Sequence, residues 1–371
     1  MKIAFLAAAK SIHTARWVNA LAQKGYTVRL YTLPDHTDTQ GKIDRRVETV
    51  PLKIPGSAGY FLNAGRLKKE LTQFRPDLVN AHYASGYGTL ARLCGVHPLL
   101  LSVWGSDVYS FPEQGPLQRR LVRKNLAAAD ALASTGYAMA DRVRRVLPDC
   151  PQIFITPFGV DCSRFSPAPV QHRGCFTVGA VKALEPIYGM EDLIRAFALF
   201  RKKLPEGKPA RLEIYGEGSL RETLQRLIDS QGLRGCAFLR GAVPHAEVPS
   251  VLNRMDAVCL LSLEESFGVS AVEAMACGVP VVASDADGFR ETVENGVTGF
   301  LVPRHSPQAA AEKLLELAQH PELRESLGRA GCRRALKLYD FRKNVEAMES
   351  AYRETIRISR KKQPCAKRPV R

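Results

Sequence analysis

The sequence predicts an α/β protein of two doubly wound domains, each a parallel sheet with helices on both faces. Short β-rich runs alternate with helical stretches along the 371 residues, a pattern typical of βαβ units. A chain of this length is too long for one ordinary hydrophobic core. A segment rich in proline and polar residues, 165–175, interrupts the alternation. We therefore place the boundary between the domains in this segment.

The first domain is predicted to span residues 1–168. Apolar residues at helical spacing predict a helix over 13–24, which Gly25 ends. The strands of this domain are expected at residues 3–6, 28–32, 78–81, 99–103, 131–134 and 153–155.

The second domain is predicted to span residues 169–343, where a second series of strands and helices runs. Residues 344–360 are predicted to form a C-terminal helix. The segment 361–371 is basic and contains two prolines, so we expect a disordered tail there. The strands of this domain are expected at residues 176–179, 211–217, 237–239, 257–262, 279–284 and 299–303.

The composition is that of a soluble globular protein, with 45% apolar and 24% charged residues. Its longest apolar runs are too short to cross a bilayer. The nine cysteines are scattered and include no C-x2-C pair, as expected for reduced thiols. These features predict a cytoplasmic protein.

No bound cofactor and no metal is expected. No cluster of cysteine and histidine has the spacing of metal ligands. The segment after the first predicted strand, residues 7–15, contains no glycine. A nicotinamide or flavin enzyme would carry G-x-G-x-x-G there, so the sequence argues against a dehydrogenase.

The chain carries a formal net charge of +16. No nucleic-acid motif accompanies this charge, so nucleic acid is not an expected partner. Clusters of Lys and Arg predict contact with an anionic membrane surface and a peripheral position on its inner face. Each cluster is also consistent with an ordinary solvated face. The clusters are Arg66, Lys68 and Lys69; Arg119, Arg120, Arg123 and Lys124; and residues 357–371.

Two glutamates, Glu265 and Glu273, stand eight positions apart in the second predicted domain. Glu265 lies in a turn after an apolar run, and Glu273 lies in an alanine-rich helical stretch. Eight helical residues rise about 12 Å. This separation favours carboxylates that hold two distant ends of one ligand.

Between the two glutamates, residues 266–269 are predicted to begin a helix. Unpaired N–H groups and the helix dipole favour an anion at such a position. Gly268 would let the backbone approach that anion closely. A diphosphate with a hydroxyl-rich group at each end, as in a nucleotide sugar, fits this arrangement.

The segment E-S-F-G at 265–268, followed by E-A-M-A-C-G-V-P-V-V-A at 273–283, resembles the E-x7-E signature of the family 4 glycosyltransferases. Residues 157–167, PFGVDCSRFSP, resemble the hinge of the same family. The resemblance covers about residues 1–340. It implies a retaining enzyme of the GT-B fold, in which two Rossmann-like doubly wound domains face a central cleft.

The resemblance also implies roles on the donor side. Glu265 would bind hydroxyls of the transferred sugar, and Glu273 would bind the ribose. Lys182 and the N–H groups of Phe267, Gly268 and Val269 would stabilise the departing diphosphate. Gly216 and Glu217 match a turn of the family near the nucleotide.

Three residues are candidates on the acceptor side. NAHYASGYG and VWGSDVY resemble acceptor-domain loops of polysaccharide-type members, and they contain His82 and Asp107. His13 follows the first strand. The resemblance places Asp107 among the catalytic residues with Glu265 and Lys182. The alternative for each histidine is a structural role, which is the more common one for a histidine at the end of a strand. The alternative for Asp107 is that it caps the next helix.

The sequence departs from the family at Ile187, where a second lysine is usual. A missing cation beside a diphosphate weakens binding, because charge-assisted contacts are strong. Three explanations of this departure remain open. Either Lys182 and the start of the helix suffice to bind the diphosphate, or Lys203 or Arg290 supplies the missing positive charge, or the affinity for the donor is low.

The function that follows is transfer of a hexosyl unit from a nucleotide diphosphate sugar, UDP-linked, to a hydroxyl of a glycolipid or polysaccharide acceptor. One alternative is a weak or inactive nucleotide-sugar-binding protein, which would bind the donor without turnover. Another is a sugar-nucleotide epimerase or hydrolase of the same fold, which would act on the donor alone.

Overall fold

The computed structural model describes residues 1–169 and 174–362 and divides the chain into two units. The first unit contains Met1–Pro157 and the chain from Asn344 onward, and the second contains Phe158–Lys343. Each unit has its own sheet, and every strand pairing within the sheets is parallel. The prediction of two doubly wound, Rossmann-like α/β domains is confirmed. The predicted cleft stays a prediction.

The first unit alternates strands and helices. Its strands are β1 (Lys2–Leu6), β2 (Thr27–Thr32), β3 (Glu48–Pro51), β4 (Leu78–His82), β5 (Leu99–Val103), β6 (Ala131–Ser134) and β7 (Ile153–Ile155). Its helices are α1 (Ile12–Gln23), α2 (Gly56–Leu62), α3 (Ala64–Phe74), α4 (Tyr87–Cys94), α5 (Pro116–Ala127) and α6 (Tyr137–Val146).

In the described part of the first unit, the strands are ordered β3-β2-β1-β4-β5-β6-β7. The chain order reverses between β1 and β4, so these two strands flank the switch point of the sheet. All residues of β4, β5 and β6 are buried. This agrees with their nearly continuous apolar sequences, which are typical of parallel strands covered on both faces.

The second unit repeats the same construction. Its strands are β8 (Phe176–Val181), β9 (Ala210–Tyr215), β10 (Ala237–Gly241), β11 (Ala257–Leu260), β12 (Val281–Ser284) and β13 (Gly299–Val302). Its helices are α7 (Met190–Lys203), α8 (Arg221–Ser230), α9 (Val248–Leu252), α10 (Val269–Ala276), α11 (Asp287–Thr292), α12 (Pro307–Gln319) and α13 (Pro321–Leu338).

The described strands of the second sheet are ordered β10-β9-β8-β11-β12-β13. The chain order reverses between β8 and β11, which lie side by side. Ligands of open α/β sheets bind beyond the carboxyl ends of the strands at such a reversal. The sheet therefore locates a candidate site before any side chain is considered.

The chain passes from the first to the second unit at residue 157, whereas the predicted boundary follows residue 168. Two backbone hydrogen bonds explain the difference. Val160 N–H donates to the carbonyl of Tyr339 at 2.7 Å, and Phe341 N–H donates to the carbonyl of Val160 at 2.9 Å. These bonds hold the segment after residue 157 against the end of the second unit, although its proline content resembles a linker.

A last helix, α14 (Phe341–Lys362), belongs to the first unit from Asn344 onward. Tyr352 Oη donates to Asn80 Oδ1 at 3.0 Å in the core of that unit. Glu349 accepts hydrogen bonds from Lys24 and Tyr26, both at 2.7 Å.

The predicted helix over 344–360 therefore lies within a longer helix. Lys361 and Lys362, predicted to be disordered, are helical, and the rest of the predicted tail lies outside the described residues. None of the helices in residues 1–169 and 174–362 is long and apolar enough to span a bilayer.

Candidate active site

The candidate site lies at the reversal point of the second sheet. Lys182 follows β8 directly, and the loop that contains Glu265 follows β11. Because β8 and β11 are neighbouring parallel strands, the sheet brings these two loops to one edge. The sequence predicted both residues for one site, and the structure brings them into contact.

Lys182 and Glu265 form a tight ion pair. Lys182 Nζ donates to Glu265 Oε2 at 2.5 Å, and the two side chains are only 12% and 10% exposed. The same Nζ lies 4.3 Å from the ring centroid of Tyr188, at cation–π distance. The structure therefore holds a desolvated positive charge against a carboxylate at the edge of the sheet.

The start of α10 lies against the same carboxylate. Gly268 caps the helix with φ of +90°, a left-handed conformation that favours glycine. Its N–H donates to Glu265 Oε1 at 3.2 Å. A side chain on Gly268 would also meet the ring of Phe289 at 2.8 Å. Glu265 thus occupies the electropositive start of the helix that the sequence assigned to a diphosphate.

The neighbouring residues have different surroundings. Phe267 is buried and contacts Phe158 and Tyr339 edge-on. Val269 opens the first turn of α10, and Ser270 Oγ donates to the carbonyl of Val181 at 2.9 Å. The helix therefore begins only four residues after Glu265. The estimate of about 12 Å between the two glutamates was wrong, because it assumed that all eight residues from one glutamate to the other are helical.

Two backbone hydrogen bonds and one from a side chain fix the loop that contains Glu265. Gly288 N–H donates to the carbonyl of Glu265 at 2.8 Å, and Leu263 N–H donates to the carbonyl of Ile187 at 2.8 Å. Arg304 Nη1 donates to the carbonyl of Leu263 at 3.2 Å. The sequence did not predict a role for Arg304. Its position two residues after β13, at the same edge of the sheet, was the available signal.

Glu273 lies in the second turn of α10 with its side chain 7% exposed. Its Oε1 accepts a hydrogen bond from His245 Nε2 at 2.9 Å. Sequence reasoning missed His245, although it lies in the loop after β10 at the edge where ligands bind. The reason is that one histidine in a loop carries no spacing signal.

Gly216 and Glu217 join the loop after β9 to the loop after β8. A Cβ on Gly216 would lie 1.9 Å from the carbonyl oxygen of Lys182, so only glycine allows this approach. Leu184 N–H donates to the carbonyl of Glu217 at 3.0 Å. The Glu217 side chain pairs with Arg221 at 3.0 Å. Both residues therefore help to position Lys182.

Ile187 is 46% exposed, in a short 3-10 turn. Of its two possible substitutes, Lys203 lies in the last turn of α7 and pairs with Glu312 at 3.7 Å. Helix α7 begins at the site, and its 14 residues rise about 21 Å. Lys203, at the far end of this helix, is therefore too distant to replace the missing cation, and the prediction that it could do so is wrong. Arg290 lies on α11 at the site edge, and pairs with Asp285 at 2.9 Å.

The three acceptor-side candidates lie in the first unit. His82, at the end of β4, is buried, and its Nε2 lies 3.1 Å from Asn80 Oδ1. Burial lowers the pKa of His82 to about 3, so its imidazole is neutral. The His82 ring packs on Trp104 at 4.5 Å, and the ring of His13 lies 5.9 Å from the same tryptophan.

Asp107 is buried as well, and its carboxylate joins two loops. It accepts hydrogen bonds from the N–H groups of Ala84 at 2.7 Å, Gly105 at 2.8 Å and Trp104 at 3.1 Å. Burial raises the pKa of Asp107, and the backbone donors oppose that rise. The structure therefore gives Asp107 a loop-organising position, and its catalytic role stays a prediction.

The second unit combines a desolvated lysine, a helix start, the buried Glu273 and the largely buried Glu265 at the end of a parallel sheet. A lysine and a helix start can stabilise a diphosphate leaving group. Carboxylates can accept hydrogen bonds from sugar hydroxyls. No group of three His, Cys, Asp or Glu side chains within residues 1–169 and 174–362 could hold a metal ion.

Two family models match the chain. Residues 171–334 match the model described as glycosyl transferases group 1, and residues 2–136 match the model described as glycosyl transferase 4-like. The two matches fall on the second and the first sheet. The matched segments contain Lys182, Glu265 and Glu273 in the one case and His13, His82 and Asp107 in the other.

Curated and solved proteins agree with these matches. A D-inositol 3-phosphate glycosyltransferase of Paenarthrobacter aurescens is 30% identical over 313 residues, 78% of this chain and 76% of the relative. The sucrose-phosphate synthase of Thermosynechococcus elongatus superposes with a TM-score of 0.83, at 20% identity, over 97% of this chain and 100% of that chain. HepE of Anabaena, solved with UDP and glucose, gives a TM-score of 0.77 at 20% identity, covering 95% and 100% of the chains.

Proposed function

The chain belongs to the group 1 glycosyltransferases with the GT-B fold, and from this membership we propose that it is a retaining hexosyltransferase. The donor would be a nucleotide diphosphate sugar, UDP-linked, and the acceptor a hydroxyl of a glycolipid or polysaccharide. The observation that carries the proposal is the contact of Lys182 with Glu265 at the start of α10. The UDP and glucose in the solved HepE complex support the choice of donor.

The donor would bind across the carboxyl edge of the second sheet. Glu265 would accept hydrogen bonds from hydroxyls of the transferred sugar, and Glu273 from the ribose. An incoming diphosphate would compete with Glu265 for Lys182 Nζ and for the N–H at Gly268. Such charge-assisted contacts are roughly twice as strong as neutral hydrogen bonds. The present ion pair keeps the cation in place until the donor arrives.

Catalysis would rest on stabilisation of the leaving diphosphate. Negative charge develops on the diphosphate as its bond to the sugar breaks. The positive charge of Lys182 and of the helix start would therefore stabilise the transition state more than the ground state. The acceptor oxygen would attack from the face that the diphosphate leaves, and a phosphate oxygen would take the acceptor proton. This course retains the anomeric configuration, and we propose that it needs neither a divalent metal nor a cofactor.

The first unit would receive the acceptor at the inner face of a membrane. On α5, Arg119, Arg120, Arg123 and Lys124 line a groove of about 550 Å³. Leu117, two residues before this cluster, is 77% exposed. Exposed cations beside an exposed apolar side chain suit an anionic lipid surface. This feature supports a lipid-linked acceptor and a role in polysaccharide biosynthesis.

The test of the function is a donor screen followed by a transfer assay. UDP, GDP and ADP are first compared by thermal shift, and the matching nucleotide hexoses are then incubated with and without an acceptor extract in EDTA. We expect stabilisation by one nucleotide and transfer that requires the acceptor, with the anomeric configuration retained by NMR. Product from the donor alone would indicate the epimerase or hydrolase, and binding without turnover an inactive member.

Glu273→Ala tests the donor site directly. We expect a rise in the donor KM or loss of turnover with little change in melting temperature, because the side chain would bind a ligand rather than pack. Hydrogen bonds to charged groups contribute about 1.5–3 kcal/mol. A variant with a lower melting temperature and unchanged nucleotide affinity would assign Glu273 a structural role instead.

A further inference from the structure

His245 contacts Glu273, the carboxylate that we propose binds the ribose of the donor. Its Nε2 lies 2.9 Å from Glu273 Oε1. A carboxylate ion only accepts hydrogen bonds, so the histidine must donate through this nitrogen. Among the described residues, no other group donates a hydrogen bond to the carboxylate of Glu273. His245 is therefore the one protein group in the described chain that orients this side chain by hydrogen bonding.

The second oxygen of Glu273 is left available. Oε2 accepts no hydrogen bond from any described residue, and it is not among the fully buried unpaired atoms. A side chain that is 7% exposed has little room to rotate within its packing. Fixing Oε1 therefore decides the direction in which Oε2 is presented.

The histidine is itself supported. Its ring packs on Phe165, with centroids 5.4 Å apart, and Phe165 is fully buried. The imidazole remains 39% exposed on its other side. Glu247 N–H donates to the carbonyl of Pro244 at 2.8 Å and closes a turn around His245. The ring thus has a rigid support on one side, the carboxylate at its tip and open space beside it.

We propose that His245 is a positioning residue, which holds Glu273 Oε1 so that Oε2 accepts a hydrogen bond from a ribose hydroxyl of the donor. The inference rests on the proposed function of Glu273 and adds the residue that sets its direction. It makes His245 a determinant of the preference for ribose over a sugar that lacks these hydroxyls.

The experiment compares the full chain with His245→Ala, His245→Gln, Glu273→Ala and His320→Ala. Isothermal titration measures the Kd of each protein for UDP, GDP and ADP and for their 2′,3′-dideoxy counterparts. His320 is the matched control, because it also pairs with a glutamate, Glu322 at 3.4 Å, but both side chains are more than half exposed.

We expect His245→Ala to weaken binding of the ribonucleotide about 10-fold while the dideoxynucleotide is bound as by the wild type. His245→Gln should recover most of the loss, because its amide N–H can reach the position of the imidazole donor. His320→Ala should change neither affinity. In the transfer assay, His245→Ala should raise the donor KM with kcat nearly unchanged.

Two outcomes overturn the inference: an unchanged affinity of His245→Ala for the ribonucleotide, or an equal loss of affinity for both forms of the nucleotide, which would indicate general damage to the loop. The proposed function fails differently. If the wild type binds none of the nucleotides, or if Glu273→Ala keeps the ribose preference, the assignment of Glu273 is overturned and the role of His245 falls with it.

Discussion

At the scale of single residues, Ile187 is a position where the resemblance to the family predicts a lysine. Its side chain is 46% exposed beside Tyr188, whose ring supports Lys182. A lysine there would have space to reach a diphosphate. We expect Ile187→Lys to tighten binding of UDP about 10-fold, equivalent to about 1.4 kcal/mol, and this gain should shrink in salt.

Ile187→Met is the control for that change, since it alters the shape of the side chain without adding charge. Isothermal titration at two salt concentrations separates the two effects. An equal affinity for UDP in the Lys and Met variants would show that position 187 does not face the phosphates.

His82 should give the protein a measurable pH dependence of stability. Its pKa lies near 3 in the folded protein, against 6.5 in the unfolded chain. Between these pH values the unfolded chain binds a proton at His82 that the folded protein does not bind. The contribution of His82 to the free energy of unfolding is therefore fully present above pH 6.5 and is lost as the pH is lowered. One such proton contributes a slope of up to about 1.4 kcal/mol per pH unit.

The variant His82→Phe keeps a ring in this position and removes the titration. Urea unfolding between pH 4.5 and 7.5 should show a shallower slope than in the wild type, whatever the absolute stability. The exposed His320→Phe should keep the wild-type slope. If His82→Phe also keeps it, His82 is protonated in the folded protein.

The sequence predicted some residues of the candidate site and missed others. Glu265 and Glu273 lie in a motif with fixed spacing, and Lys182 matches a cationic position of the family that the sequence resembles, so all three could be predicted from the sequence. The Lys182–Glu265 contact needed the strand order, because the two residues are 83 positions apart. His245 and Arg304 each act through contacts between loops. Such contacts leave no periodicity or spacing in the sequence, so neither residue was predicted.

At the scale of elements, the start of α10 depends on a glycine. Gly268→Ala should destabilise the protein by about 1–2 kcal/mol through its left-handed φ of +90°. It should cost more through the approach to Phe289 at 2.8 Å. Because its N–H donates to Glu265, we also expect weaker binding of UDP.

Gly296→Ala is the matched control for that helix start. Gly296 also has a positive φ, of +75°, but a Cβ there would meet nothing within 4 Å. Denaturant unfolding should show a smaller loss for Gly296→Ala, and titration an unchanged affinity for UDP. Equal losses in the two variants would mean that Phe289 moves aside freely.

Most strands were predictable because they are buried on both faces and carry nearly continuous apolar runs. The exception is β3, with the sequence ETVP, which lies at the edge of the first sheet. Its residues are exposed or half-buried, so hydrophobicity does not mark them. An edge strand gains its structure from pairing with β2, which is a tertiary effect.

At the scale of the whole molecule, the charge of +16 should appear as binding to anionic membranes. Each Lys or Arg near such a surface contributes about 1 kcal/mol, and salt weakens the contact. We expect cosedimentation with vesicles that contain anionic lipid, little with neutral vesicles, and release at high salt.

Two variants of equal charge locate that binding. The first replaces Arg119, Arg120, Arg123 and Lys124 by Gln, and the second replaces the exposed cations Lys202, Lys208, Arg226 and Lys337 of the second unit. Only the first should lose cosedimentation. Equal losses would make net charge the cause, and a wild type that binds no vesicles would point to a soluble acceptor.

The return of α14 to the first unit has a consequence for synthesis on the ribosome. Tyr352 completes a core contact with Asn80, 272 positions earlier, so the first unit cannot finish folding until the entire second unit has been translated. A nascent chain stopped before Asn344 would leave uncovered the surface that Val345, Met348 and Ala351 otherwise bury. Such a chain would be a substrate for chaperones, since exposed apolar surface is what they recognise. The order of translation therefore makes the second unit the first to mature, and the first unit the last.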